Sequence, residues 1–150
     1  MINLLTTQNF QVLEPVVVNG GTATAFYVDT LGADWVRIVL LTGAIGASNI
    51  TKYIVTECET SGGSYTDITG SGATFTATDD GKIVITDVDY RSKGTRKRFL
   101  SVTVTAGATD CLVAALAMVS PKPGTPTSTS NVGAGCLGGV TKSVLAWNQV

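Results

Sequence analysis

Five basic side chains between Tyr90 and Phe99 are the residues of this sequence most able to do chemistry. They are Arg91, Lys93, Arg96, Lys97 and Arg98, half of the ten lysines and arginines in the chain. Such a cluster can bind phosphate groups or an acidic surface of another protein. Because aromatic residues only flank it, with none interleaved to stack on bases, a protein partner is favoured over nucleic acid. We predict these five residues as a partner interface; the alternative is a solvated loop.

Four aspartates near Gly81 raise the question of a metal site. Asp79, Asp80, Asp87 and Asp89 supply the oxygen ligands that calcium prefers. Their spacing does not match an EF-hand loop, and aspartates at turns commonly accept hydrogen bonds from their own backbone. We therefore predict no metal site.

Catalysis finds little support in the residue types present. The chain has no histidine, which removes the commonest general base and metal ligand. Glu57 and Glu59 fall on the same face of a predicted strand, so they do not oppose each other as glycosidase carboxylates must. The Gly-Gly pairs match no phosphate-binding loop followed by a helix. We predict a protein that is not an enzyme, without catalytic residues or cofactors.

The composition favours a protein that works in an assembly. Charged residues make up 14% of the chain and hydrophobic residues 44%, with a net charge of -1. Soluble domains usually contain about 25% charged residues, so this surface is unusually neutral and suited to being covered by neighbours. The three cysteines, Cys58, Cys111 and Cys136, lack paired spacing, and we expect them to be reduced, with two of them buried.

Alternating apolar and polar residues, broken by glycine-rich turns, predict an all-β fold. About eight short strands with turn signals roughly 8 to 12 residues apart are typical of a β-sandwich or barrel. The immunoglobulin order of cysteine, tryptophan and cysteine is absent, because Trp35 precedes Cys58 and Cys111. We predict a jelly-roll-type β-sandwich of about eight antiparallel strands with extended terminal arms.

Three segments carry more detailed predictions. Residues 51–68 predict a hairpin, with Ile54 and Cys58 pointing inward. Residues 35–42 are apolar on both parities, which suits the middle of a sheet or a sheet whose outer face meets a partner. Residues 111–119 favour a strand in hairpin pairing with the strand before it, with a helix as the alternative.

The chain divides into three predicted regions. Residues 1–10 are an N-terminal arm, residues 11–120 the sandwich body, and residues 121–150 a linker rich in Pro, Gly, Ser and Thr that ends in an apolar arm. We predict Val144, Leu145 and Trp147 as a second partner interface, because an apolar tip with a tryptophan is suited to docking. The alternative is a frayed tail. No secretory signal or membrane span is recognised, so a soluble protein is expected.

Residues 35–122 resemble a group of small phage structural proteins. The resemblance is carried by TECETSGGSYTDITGSGATFTATDDGKIVITDVDYRSKGTRKRFLSVTVTAGATDCLVAALAMVSPK, with its acidic strand, Gly-Ser turn, aromatic-Thr-Asp strand and later arginine-lysine-aromatic strand. It is similar to the capsid cement, or decoration, proteins of tailed bacteriophages, which have a jelly-roll body. The resemblance implies binding to the major capsid protein on the outside of an HK97-type shell, commonly as a homotrimer, after synthesis in the host cytoplasm. From the residues themselves, as argued above, neither a nucleic-acid nor a membrane partner is expected.

Two other functions remain open at this point. One is a different phage structural role, in a tail or fibre. The other is a carbohydrate-binding β-sandwich, for which Trp35, Tyr53 and Tyr65 are the candidate stacking residues, although Trp35 begins an apolar strand and is expected to be buried.

Overall fold

The computed structural model describes residues 9–45, 47, 49–91 and 96–121. These residues form nine β-strands and one short 3-10 helix, Ala77–Asp79. In chain order the strands are β1 (Asn9–Val18), β2 (Ala23–Asp29), β3 (Ala33–Ile45), β4 (Ile50–Cys58), β5 (Thr66–Asp67), β6 (Ala73–Phe75), β7 (Ile83–Asp89), β8 (Phe99–Ala106) and β9 (Cys111–Pro121).

The strands form two sheets that enclose one core. The first sheet has the order β1-β9-β3-β7, and the second has the order β2-β8-β4-β5, with β6 also paired to β4. Every pairing is antiparallel. The short strands β5 and β6 share the edge position beside β4. The predicted sandwich of about eight antiparallel strands is confirmed.

The nesting of the strand pairs makes this sandwich a jelly roll. β4 pairs with β5 and β6, β3 with β7, β2 with β8 and β1 with β9, so the chain forms one long hairpin of successive pairs. Wrapping that hairpin around the core brings β9 beside β3 and β8 beside β4. With β5 and β6 together taking the place of one strand beside β4, this is the eight-strand, two-sheet jelly-roll arrangement.

The last strand of the body has different partners from those predicted. β9 is a strand and not a helix, but it pairs with β1 and β3 instead of β8. The turn at residues 107–110 carries the chain from the second sheet to the first. Because β9 is apolar on both parities, a central place in a covered sheet stabilises it more than an edge would.

The core lies between the inner faces of the two sheets. On β8, Leu100, Val102 and Val104 are fully buried, and they alternate with residues of the outer face. They belong to one cluster with Ile38 and Leu40 of β3 in the opposite sheet. Burial of such side chains stabilises a fold by roughly 1.5–3 kcal/mol each, which makes this two-sheet cluster the main source of stability.

The inward side of β4 is opposite to the prediction. Tyr53 and Val55 are buried and Ile54 is only half-buried. Pairing with β8 decides this, because Tyr53 lies opposite Val104 and Val55 opposite Val102. The Tyr53 hydroxyl is satisfied inside the sandwich, 2.8 Å from the Thr86 hydroxyl. A tyrosine can therefore occupy the core here without an unpaired polar atom.

The predicted hairpin after β4 is confirmed, since Thr56 pairs with Asp67 and Glu57 with Thr66. Cys58 is buried, but on the outer side of the second sheet, beneath the turn at residues 59–65. A Cβ atom at Gly63 would lie 2.6 Å from the Cys58 sulfur, so the turn needs glycine to close over the thiol. Cys111 lies in the core cluster. Both cysteines are free thiols and Cys136 is outside the described residues.

β1 forms one edge of the first sheet and is interrupted near its middle. Its register with β9 shifts between Leu13 and Val16. Pro15 lies in this bulge and has no N–H to donate, which suits an edge strand. β1 begins at Asn9, inside the predicted N-terminal arm, and β9 ends at Pro121. The rest of both predicted arms lies outside the described residues.

Candidate interaction surface

Apolar side chains cover the outer surface of the first sheet. The strand registers align Val12, Leu116, Val39 and Ile85 in one row that crosses all four strands. Further along the sheet lie an Ala114, Leu41 and Ile83 row and a Val17 and Leu112 pair. We call the following set the apolar face: Val12, Val17, Val39, Leu41, Ile83, Ile85, Leu112 and Leu116.

Most of the apolar face is open to solvent. The exposed fractions are 60% for Ile83, 56% for Ile85, 54% for Val17, 42% for Leu41, 39% for Leu112 and 38% for Val12. Each position on a sheet face covers about 4.8 by 6.7 Å, so the nine positions of these rows, Ala114 included, cover about 290 Å² in projection. Single exposed apolar residues are ordinary, whereas the largest contiguous patch of a protein, usually about 300–600 Å², is often functional.

The central strands create this surface because both of their parities are apolar. β3 buries Ile38 and Leu40 inward and leaves Val39 and Leu41 outward. This arrangement is one that the sequence predicted for residues 35–42, a sheet whose outer face meets a partner. At Gly43, a Cβ atom would lie 2.9 Å from a Leu112 methyl carbon, so the glycine leaves room for Leu112 on the face.

Sequence reasoning missed the contribution of the edge strand β7. Its sequence alternates, and Ile83 and Ile85 turn outward while Val84 and Thr86 turn toward the interior. Two isoleucines on the outward parity of an edge strand were a visible signal. Their place in a larger apolar surface could not be predicted, because it depends on the pairing with β3, which puts them beside Leu41 and Val39.

A polar group closes one end of the apolar face. Arg37 donates two hydrogen bonds to Asp87, both at 2.8 Å. Its guanidinium also lies 4.8 Å from the centre of the Trp35 ring. The hydrogen bonds to Asp87 raise the pKa of Arg37. Trp35 is half-buried, so the expectation that it is buried was wrong; its ring is covered on one side by Arg37.

A second ion pair lies at the opposite end, beside the 3-10 helix. Lys82 donates to Asp79 at 2.6 Å, and the Thr76 backbone N–H donates to the same carboxylate at 2.7 Å. These hydrogen bonds, led by that of Lys82, lower the pKa of Asp79 to about 2. The apolar face is therefore framed by charges that are already neutralised.

The outer surface of the second sheet has a different character. Its rows are built largely from hydroxyl side chains, including Thr56, Ser101 and Thr103. Tyr27 and Tyr65 lie together there, with ring centroids 5.5 Å apart, and Tyr27 is 59% exposed. Tyr53, predicted as a possible sugar-stacking residue, is buried and cannot serve that role.

The predicted basic cluster is engaged with acidic groups of the same chain. Arg98 pairs with Asp29 at 2.8 Å, Arg96 with Glu57 at 3.3 Å and Arg91 with Asp89 at 3.3 Å. The Lys97 ammonium donates to the Thr66 hydroxyl at 3.3 Å. Much of the positive charge is thus compensated locally. Lys93 lies outside the described residues.

Tyr90 organises the loops around this cluster. Its hydroxyl donates to the Lys97 carbonyl at 3.2 Å and accepts from the Thr30 hydroxyl at 3.1 Å. The Thr30 backbone N–H donates to the Arg98 carbonyl at 3.0 Å. Burial, partly offset by the Thr30 hydrogen bond, raises the pKa of Tyr90 to about 12. The backbone of Lys97 and Arg98 is therefore anchored to the end of the sandwich.

The four aspartates considered for calcium all have other partners. These are Lys82 for Asp79, the Ile45 N–H for Asp80, Arg37 for Asp87 and Arg91 for Asp89. Within the described ranges, no group of three or more potential ligands could hold a metal ion. These ranges also contain no helix with the length and hydrophobicity needed to cross a bilayer.

A small cavity of about 270 Å³ opens where the β7 edge meets the turn after β5. Ser71, Thr86, Asp89 and Arg96 are among its lining residues. Arg96 Nε is buried without a hydrogen-bond partner in the described structure, while the same side chain pairs with Glu57 through another nitrogen. The predicted interface residues Val144, Leu145 and Trp147 lie outside the described residues.

Comparison with known proteins gives fold-level likeness only. No family model matches the chain. No curated protein sequence matches it either. Among solved structures, a Bacillus endospore appendage, from a family of disulfide-linked pili, is similar with a TM-score of 0.46 and 15% identity, covering 77% of this chain and 88% of that one.

A second similar structure is the CBM22-1-GH10 part of Clostridium thermocellum endo-1,4-beta-D-xylanase 10B, solved with xylohexaose. Its TM-score is 0.41 and its identity 9%, covering 81% of this chain and 28% of the other. Both scores are low, so the jelly-roll assignment depends on the strand order described above.

Proposed function

We propose that this chain is a structural protein that stabilises a larger assembly, as a cement protein on the outside of an HK97-type bacteriophage shell. The observation that carries the proposal is the apolar face, which a partner surface would cover. The sequence resemblance of residues 35–122 supports the choice of a phage shell as that assembly. The major capsid protein and further copies of this chain are the proposed partners.

The size of the apolar face suits a contact whose affinity is modest for one copy and high when many copies bind the same lattice. At about 25 cal/mol per Å², covering roughly 290 Å² contributes about 7 kcal/mol. Association costs roughly 4–15 kcal/mol, so one face alone gives modest affinity. On a shell, many such contacts reinforce one another, and binding only to the assembled lattice stabilises that lattice.

The direct test mixes purified protein with expanded, empty phage capsids and measures co-sedimentation. We expect the unaltered chain to bind and to appear as density on the outer surface in electron micrographs. Ile85→Lys, on the apolar face, is expected to bind much more weakly. Ala25→Lys, at an exposed position on edge strand β2 of the other sheet, is the matched control. Equal binding by both variants would contradict the proposal.

A tail or fibre component is the nearest alternative, because the apolar face serves assembly there equally well. Density on the tail instead of the shell would identify it.

A carbohydrate-binding module is the alternative from a different class, and the exposed Tyr27 beside the half-buried Tyr65 favours it. Stacked sugar rings require exposed aromatic faces, and Tyr27 offers one on the outer side of the second sheet. A glycan array tests this: binding that is abolished by Tyr27→Ala and retained by Ile85→Lys would replace the cement proposal.

A further inference from the structure

We propose that, in the free protein, the apolar face is covered by residues 140–150 of the same chain. This segment, VTKSVLAWNQV, carries apolar side chains at Val140, Val144, Leu145, Trp147 and Val150 and a single charge at Lys142. It lies outside the described residues, whose last strand, β9, ends beside the apolar face.

The described chain ends at the border of the apolar face. β9 runs through the middle of the first sheet and ends at Pro121, which pairs with Ala33. One step earlier, Ser120 pairs with Trp35, at the end of the face that Arg37 and Asp87 close. At about 3.3 Å per residue, the Leu116 row lies roughly 13 Å from Ser120 and Leu112 roughly 27 Å from it.

The intervening sequence has a length that suits this distance. Residues 122–139 are rich in Pro, Gly, Ser and Thr. For 18 residues of a composition rich in Gly and Ser, the random-coil relation gives a root-mean-square span of roughly 24 Å, which lies between the distances from Ser120 to the Leu116 row and to Leu112. Such a linker places the attached segment at an effective concentration in the millimolar range. At lower protein concentrations, the chain's own segment therefore occupies the face ahead of a second copy.

The chemistry of the two surfaces is also matched. The rows between the two framing ion pairs contain apolar side chains, and the exposed isoleucines of β7 form one side of the patch. Trp147 and Leu145 supply the large apolar groups that anchor docked segments. The two aspartates that frame the face are already bound, Asp87 by Arg37 and Asp79 by Lys82, and the exposed carboxylate of Glu14 lies at the edge of the face, in the bulge of β1.

This inference goes beyond the proposed function and does not need it, because it concerns the chain before any assembly forms. It adds a regulatory consequence: a shell surface or a neighbouring copy has to displace residues 140–150 to reach the face. The same contact made between neighbours would then join copies together, as in other exchanges of a terminal segment.

The test follows the fluorescence of Trp147 in the full chain. Trp35 and Trp147 are the two tryptophans, so Trp35→Phe leaves Trp147 as the reporter. We expect blue-shifted emission and several-fold weaker quenching by acrylamide than for the peptide 140–150 alone. Adding Ile85→Lys should shift the emission to the red and restore quenching, while adding Ala25→Lys should change neither.

A lysine variant on the segment and a dilution series show whether residues 140–150 of the same chain cover the face. Leu145→Lys, placed on the segment, should reproduce the effect of Ile85→Lys, which keeps the test valid if the face variant folds poorly by circular dichroism. The blue shift should also be unchanged on dilution. Emission like that of the free peptide, or insensitivity to both lysine variants, would overturn the proposal. A blue shift that disappears on dilution would assign the occupant to a second copy and overturn it as well.

Discussion

Tyr53 of the second sheet and Thr86 of the first are joined by a 2.8 Å hydrogen bond between their hydroxyls, across the interior of the sandwich. Tyr53 is 1% exposed, and its ring also packs edge-on against Phe75, with the centroids 6.1 Å apart. One side chain therefore links the two sheets by both packing and a polar contact.

The first prediction concerns this link. Tyr53→Phe keeps the ring but leaves the Thr86 hydroxyl without its partner, so the free energy of unfolding should fall by about 1–2 kcal/mol. Urea denaturation measures the change. Tyr27→Phe, at an exposed tyrosine, should cost far less. The double change Tyr53→Phe with Thr86→Val should recover part of the loss; an equal or larger loss would show that the hydroxyl pair is not the cause.

The second prediction is a loss of stability in alkali. The pKa of Tyr90 is about 12 in the folded chain, against about 10 in an unfolded one. Because the folded state holds this proton more tightly, the stabilisation is complete below about pH 10 and is lost as the pH rises toward 12. Ultraviolet titration should detect this late-ionising tyrosine. The decline in unfolding free energy between these pH values should be shallower in Tyr90→Phe than in the unaltered chain.

The third prediction concerns the ion pair between Arg96 and Glu57. Their side chains are 23% and 13% exposed, so this pair is more enclosed than the other basic contacts of the cluster. Glu57→Gln leaves the arginine charge partly buried without its carboxylate and should destabilise the fold by about 2 kcal/mol. Asp89→Asn, which breaks the exposed pair with Arg91, should cost less than about 1 kcal/mol. Thermal unfolding of both variants measures the two losses of stability. A larger loss in Asp89→Asn than in Glu57→Gln would contradict the prediction.

The fourth prediction separates folding from interaction on the apolar face. Ile83 and Ile85 are more than half exposed, so replacing either with lysine should change the unfolding free energy by less than about 1 kcal/mol. Binding to capsids should nevertheless drop sharply. Val39→Lys, at a half-buried position in the same row, is expected to reduce both stability and binding. A large loss of stability in Ile85→Lys would mean that the side chain serves the fold and not a partner.

The sequence predicted the class of fold well because the alternation of β8 and the turns between strands are local features. It failed where the answer depended on pairing between distant segments. β4 carries apolar residues on both parities, and only its register with β8 sends Tyr53 and Val55 inward in place of Ile54. The partners of β9 were predicted wrongly for the same reason, since a turn does not record which sheet the next strand enters.

The candidate surface was predictable only in part. The apolar character of both sides of β3 pointed to a covered outer face, whereas the contributions of Val12 and Ile85 required the sheet order. For the basic cluster, composition revealed the positive charges but not their partners, because Asp29 and Glu57 lie far from it along the chain.

The bulge around Pro15 has a consequence for how copies of this protein can grow into fibres. An unbroken outer strand invites a foreign strand to add to it by backbone hydrogen bonds, and repetition of that step leads to amyloid-like polymers. The displaced register between Leu13 and Val16 and the missing amide hydrogen interrupt such a template along β1. Stacking of whole jelly rolls through their side chains is thereby favoured over endless lateral extension of the first sheet from this edge.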